Sequence, residues 1–154
     1  MNRTMPRSWL TGWLMLIAGL LACAPAAVAA DRPHAPVSKA ETRQIRAEIQ
    51  SQLDALAADD AERAFSYASP GIQKMVGSPD NFIQMVRTSY PVVYRPASVV
   101  FLAPQWVEGV LVQGVQMTDV AGALWLALYT MERQADKSWR ISGCTVRANE
   151  GRAT

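Results

Sequence analysis

The sequence predicts an α+β domain, with helices first and then a curved antiparallel sheet of about four strands packed against them. Three observations carry this. Apolar residues recur at helical spacing in the stretch after residue 38, and two Ser-Pro pairs punctuate the helical pieces that follow. Beyond Pro96 the chain changes to β-branched and aromatic runs separated by turn residues. Helical segments followed by strands in series mark a two-layer α+β arrangement.

"SKAE" opens the first helix, with Ser38 as N-cap and Glu41 three residues on, a capping box. Ile45, Ile49, Leu53 and Leu56 then line one face, so the helix is expected over about 39–58. "DDAE" restarts a helix with Asp59 as cap, and Ala64, Phe65 and Ala68 form its apolar side. Ser69–Pro70 and Ser78–Pro79 each pair a capping hydroxyl with a proline at the first helical position, where the missing N–H costs nothing. The first of these helices ends near Gly77. The second runs to about Thr88, with Phe82, Met85, Val86 and Tyr90 inward, and Pro91 closes it.

The strands are expected at "ASVVFLAPQWV", "VLVQGVQMTD", "GALWLALYTMER" and "SWRISGCTV", in meander order. In the third, both alternating sets are apolar: Leu124, Leu126 and Leu128 against Trp125, Ala127, Tyr129 and Met131. The first strand, 97–107, behaves likewise, with Val99 and Phe101 against Val100, Leu102 and Trp106. A sheet with one wet face alternates apolar with polar residues. The second face is therefore hidden either by strong curvature or by a homodimer formed through the sheet.

The front of the chain has a different composition. Arg3 and Arg7 precede an uncharged apolar run, whose core Leu10–Ala22 is 13 residues, and "CAPAAVAA" leads into "DRPH". The run is shorter than the roughly 20 residues that span a bilayer as a helix. Basic start, apolar core and small-residue end make residues 1–30 a secretory signal, with cleavage between Ala30 and Asp31. A rival is "LLAC", which resembles a bacterial lipobox and would leave the chain acylated at Cys23. An uncleaved anchor is the third alternative. All three imply an exported protein, periplasmic or secreted, or a lipoprotein held at Cys23. Residues 31–37 form a linker, 38–148 a single domain and 149–154 a flexible tail.

Two of the 15 Lys and Arg residues lie in the leader, whereas all 13 acids lie at or after Asp31, so the chain from Asp31 onward is neutral. Interspersed, balanced charge offers no attraction for nucleic acid, nor for a membrane surface unless Cys23 is lipidated.

Catalytic chemistry is restricted by residue type. The single histidine, His34, lies in the linker, so the domain lacks an imidazole base, an imidazole-activated nucleophile and an imidazole metal ligand. No metal site, cofactor or catalytic residue is expected. "GVLVQG" (109–114) lacks the spacing and the lysine of a phosphate loop. Carboxylates are the remaining route to catalysis. Asp59, Asp60 and Glu62 read as helix-start residues, and Glu108, Asp119, Glu132 and Asp136 as turn residues.

Tyr67, Tyr90, Trp125, Tyr129 and Trp139 are the candidates to line a pocket, against the plainer reading that they fill the core. Strict alternation puts Cys144 on the side of Arg140. A bulge at Gly143 would instead turn it inward. With Cys23 removed or acylated, Cys144 has no intrachain partner, and a buried, inert thiol is expected, with an intermolecular disulfide across a dimer as the alternative.

"AFSYASPGIQ", "NFIQMVRTSYPVVYRP" and "GALWLALYTMERQADKSWRISGC", with the exported N-terminus, together resemble the bacterial family catalogued as domain of unknown function 4864, over about Ile45 to Val146. The order of helices and curved sheet is similar to the cone-shaped nuclear-transport-factor-2-like superfamily. That likeness implies a pocket between the concave sheet and the helices, and dimers through the sheet. Lys137 stands where such hairpins commonly carry glycine, so a longer loop is expected there. The resemblance brings no activity with it. The reading is an exported, non-catalytic domain binding a small apolar ligand or a protein partner. The alternatives are a carboxylate- and tyrosine-dependent enzyme of the cone fold and a structural subunit of an envelope assembly.

Overall fold

The computed structural model describes residues 34–149. The expected signal segment, the Ala30–Asp31 junction, Cys23 and the end of the expected tail lie outside the described residues. Five helices precede five strands: α1 (Lys39–Ala57), α2 (Ala61–Ser66), α3 (Pro70–Val76), α4 (Pro79–Ser89), α5 (Pro91–Tyr94), then β1 (Ser98–Phe101), β2 (Gln105–Val107), β3 (Val110–Thr118), β4 (Leu124–Arg133) and β5 (Trp139–Ala148). The α+β class holds. The sheet is open and antiparallel, in the order β1-β3-β4-β5, and β2 pairs with the other end of β3 beside β1.

Local chemistry explains the helix starts. The Ser38–Glu41 capping box forms in full, the Ser38 side chain accepting from the Glu41 N–H and Glu41 reaching back to the Ser38 N–H. Ser69 and Ser78 cap α3 and α4 by accepting from the N–H groups of Ile72 and Asn81. The expected cap of α2 is displaced by one residue: Asp60, not Asp59, accepts from the Arg63 N–H. Asp59 is drawn away to a cluster described below and takes a positive φ of 58°. Pro91 ends α4 as expected, and it also opens the one-turn helix α5, whose Val92 and Val93 are buried.

The expected strand 97–107 is broken into β1 and β2 at residues 102–104, which makes the sheet five-stranded. The Leu102 carbonyl leaves the ladder and accepts from Arg46 Nη2 (3.1 Å) and Gln113 Nε2 (2.7 Å). Pro104 has no N–H to continue the pairing. The break resets the alternation, so Trp106 pairs with Leu111 on the inner face instead of sharing a side with Val100. Its indole stacks on His34, with ring centroids 4.1 Å apart.

Hairpin geometry follows the turn residues. Glu108 and Gly109 both have positive φ and make a two-residue turn, the pairing that suits the twist of its strands. The β3–β4 and β4–β5 connections share a longer three-residue design. Asp119 N–H donates to Ala123 O and Gly122 N–H to Asp119 O, while Gln134 N–H donates to Ser138 O and Lys137 N–H to Gln134 O. Gly122 fills the left-handed position in one (φ 84°) and Lys137 in the other (φ 69°). The longer loop expected at Lys137 is present.

The core lies between the helices and the inner face of the sheet. Ile45, Ile49, Leu53 and Leu56 of α1 and Phe82, Ile83 and Val86 of α4 meet Leu111, Val115, Met117, Ala127, Tyr129, Met131 and Ile141. Each Val, Leu, Ile, Phe or Met side chain among them contributes about 1.5–3 kcal/mol on burial. The outer face is partly apolar and uncovered: Val100 is 56 % and Leu124 51 % exposed, Leu126, Leu128 and Val112 are half-buried, and Gln116 stands exposed between Val100 and Leu126.

Candidate functional site

An interlayer cleft of about 230 Å³ opens between the helices and the sheet. The helices contribute Gln52 of α1, Ile72 and Met75 of α3, and Phe82, Met85 and Val86 of α4. The sheet contributes Tyr129 of β4 and Ile141, Gly143 and Cys144 of β5, and Ala68, Tyr90 and Val93 complete the wall. No charged side chain is among these residues.

Helix α3 is the loosest wall. It buries no side chain, and Met75 at the cleft is 72 % exposed, which marks the open rim. Its position is set at its ends. The Ser69 N–H donates to Ile141 O (2.8 Å), and Gln73 Nε2 donates to the carbonyls of Phe65 and Ala68.

The polar groups of the cleft are few. Tyr129 is 1 % exposed, and its hydroxyl has no hydrogen-bond partner. Buried hydroxyls are normally paired, so an open one is a specific feature. Cys144 lies directly across the ladder from Tyr129. Burial pushes its thiol up to about 12, and burial raises the Tyr129 hydroxyl as well. Both groups are protonated at neutral pH. Gln52, also buried, is committed through Nε2 to the Ala64 carbonyl (3.1 Å).

Cys144 faces inward because of a bulge. Thr130 pairs with Gly143, but the next residue, Met131, pairs with Ile141, so Ser142 is the extra residue of β5. The shift moves Cys144 and Val146 onto the face of Tyr129 and Ala127, away from the side of Arg140. Gly143 suits this point, because an added Cβ would sit 2.7 Å from Thr130 Oγ1 and the Thr130 side chain would have to shift.

Of the five aromatic candidates, the cleft brings together two, Tyr90 and Tyr129. Tyr90 also borders a groove of about 350 Å³ that holds Trp125, Pro91, Arg95 and Asp119. There Asp119 is consumed by its own loop, accepting from the N–H groups of Ala121 and Ala123 and from Trp125 Nε1 (each 2.9 Å). Trp139 lies in a third groove, about 370 Å³, with Trp106, Met131 and Arg133. Tyr67 borders none of these; its hydroxyl accepts from Arg63 Nε and its carbonyl takes the Ile141 N–H. Gln52, Met75, Met85 and Cys144 are among the eleven lining residues that pattern reading did not place in a pocket. The i, i+3, i+4 positions of short helices mark an inner face, which looks the same over a core as over a cleft.

Charged side chains pair elsewhere. Asp59 accepts from Arg87 Nη2 (2.9 Å), Arg95 Nη2 (2.8 Å) and the Tyr94 hydroxyl, and both guanidinium groups sit over the Tyr94 ring. Glu48, overlooked in the sequence, pairs with Arg140 at 2.6 Å; burial raises its pKa, and Arg140 opposes that shift. Among the described residues no three metal-binding side chains cluster, and no helix is long and apolar enough to cross a membrane.

Helices on one face of an open antiparallel sheet, with an uncharged cleft between the layers, define a small two-layer α+β domain. The profile of the family described as Domain of unknown function (DUF4864) matches residues 38–154, and the chain belongs to that family. The match begins at the cap of α1 and extends past the segments that carry the resemblance. No curated protein and no solved structure matches the chain.

Proposed function

We propose that this chain is an exported, non-catalytic domain that binds a small, largely apolar ligand in the cleft between its layers. The observation that carries the proposal is the Tyr129 hydroxyl, buried and unpartnered in an otherwise apolar wall. Pockets of this kind, mostly apolar with a few placed polar groups, suit small ligands. No carboxylate lines the cleft, so a carboxylate–tyrosine enzyme finds no support there. The basic, apolar and small-residue succession of residues 1–30 supports export.

A second copy of the chain is the proposed cover for the outer sheet face. Val100 and Leu124 are more than half exposed there, with Leu126 and Leu128 on the same face, and exposed apolar side chains grouped on one sheet face favour association. Helices on one face and a dimer on the other would fit the nuclear-transport-factor-2-like plan. Native mass spectrometry of the protein purified from its own periplasm tests these points together. The expected species is a dimer that begins at Asp31 and releases a small molecule. A ligand-free species that takes up no small apolar compound contradicts the binding role, and a monomer contradicts the sheet interface.

A further inference from the structure

We infer that the ligand is an uncharged compact molecule, apolar except for one hydrogen-bond acceptor such as a carbonyl or ether oxygen, which takes the O–H of Tyr129. This inference rests on the cleft-binding reading above and adds the chemical class.

Size comes from the cleft. A cavity of about 150 Å³ accommodates benzene, so 230 Å³ has room for about ten non-hydrogen atoms. Charge is excluded by the wall. An ion in the cleft would lose its hydration without gaining a counter-charge, since no lining residue is charged.

The polarity follows from an inventory of donors. Gln52 has committed one N–H of Nε2 to Ala64 O, and Tyr90 is only half-buried and borders a second groove, which leaves the Tyr129 hydroxyl as the fully buried, unpartnered donor of the cleft. Its neighbour across the ladder, Cys144, is a weak donor and a poor acceptor. The thiol sulfur is only a weak acceptor for the phenol O–H, so a ligand oxygen would be the stronger partner. Donation toward the ligand is therefore the open capacity. Burial keeps both groups protonated at neutral pH, so the donor is present under ordinary conditions.

The test uses acetophenone and ethylbenzene, which match in size and differ by a carbonyl in place of a methylene, with benzoate as the charged member. Affinities are measured by calorimetry on the purified protein and on Tyr129→Phe. In the native protein, acetophenone should bind at least as tightly as ethylbenzene, despite the greater cost of drying its carbonyl, and benzoate should bind far more weakly. Tyr129→Phe should weaken acetophenone about five- to tenfold and leave ethylbenzene within about twofold, the loss of one hydrogen bond. Equal effects on both compounds, no effect on either, or preferential binding of benzoate would overturn the inference. Failure of both neutral compounds to bind would instead remove the cleft-binding reading itself. Should Tyr129→Phe not fold, the ratio of the three affinities in the native protein still decides.

Discussion

Tyr129 and Cys144 are register partners on the inner face of the β4–β5 ladder, and a one-residue bulge at Ser142 puts them there. Without it, Cys144 would share the outward side of Arg140. The bulge thus determines that a hydroxyl and a thiol meet at the wall of the cleft. A thiol pushed up to about 12 carries roughly one part in ten thousand thiolate at pH 8. The native protein should react with a disulfide reagent at least about a hundredfold more slowly than the protein in denaturant. Rapid labelling of the folded state would show that Cys144 is not held as described.

Gly143 should be the most sensitive glycine of the sheet. An alanine there meets Thr130 Oγ1 at 2.7 Å, so the β-branched Thr130 side chain must leave its rotamer. Gly143→Ala should cost about 1–3 kcal/mol in urea unfolding. Adding Thr130→Ala should recover most of that loss, a coupling that independent sites would not show. An additive double variant would mean that the clash is relieved elsewhere.

The two three-residue hairpins form an internal comparison. Gly122 and Lys137 occupy equivalent left-handed positions, at φ 84° and 69°. Lys137→Gly should raise stability by about 1 kcal/mol and Gly122→Ala should lower it by a similar amount. Thermal unfolding of both variants reads this directly, and a destabilised Lys137→Gly would contradict the loop geometry.

Acid should unfold the protein by a definable route. Hydrogen bonds hold Glu41, Asp59, Asp119 and Asp136 below the usual carboxylate range: from Ser38, Tyr94, Trp125 and Ser138 respectively. A carboxyl with a lower pKa folded than unfolded adds stability above its unfolded value, about 4, and that stability is lost as pH falls through the folded value. Glu48 runs the other way, because burial raises its pKa; its contribution is present at low pH and fades as pH rises through the folded value. Four groups against one should make the thermal midpoint fall between about pH 5 and pH 3. Asp59→Asn should flatten that fall, and an unchanged acid limb would show that the cluster with Arg87 and Arg95 adds nothing.

These relationships were unequally legible in the sequence. Capping at Ser38, Ser69 and Ser78 follows rules that span three or four residues, so those helix starts could be read directly. The helix-then-strand order and the meander were equally plain. The strand break at Leu102 was hidden, because the groups that draw off its carbonyl belong to Arg46, 56 positions away, and Gln113. Asp59 was misread as a cap for the same reason: Arg87 and Arg95, 28 and 36 positions on, compete for it. Alternation correctly turned Trp139 inward, but it carries no information about position along the strand, and Trp139 faces a different groove from Tyr129. Met75 and Met85 showed only an inner-face pattern, which does not separate a packed core from a cleft.

The central claim is that small apolar molecules enter the cleft under α3. Met75 and Met85 line it, whereas Met117 lies in the core and Met131 borders the third groove. Labelling the methionine methyl groups with carbon-13 and titrating with ethylbenzene therefore places probe and controls in one spectrum. The account predicts saturable shifts of the Met75 and Met85 methyl signals with Met117 unmoved. No saturable shift at Met75 and Met85, or equal shifts at all four methionines, would contradict it.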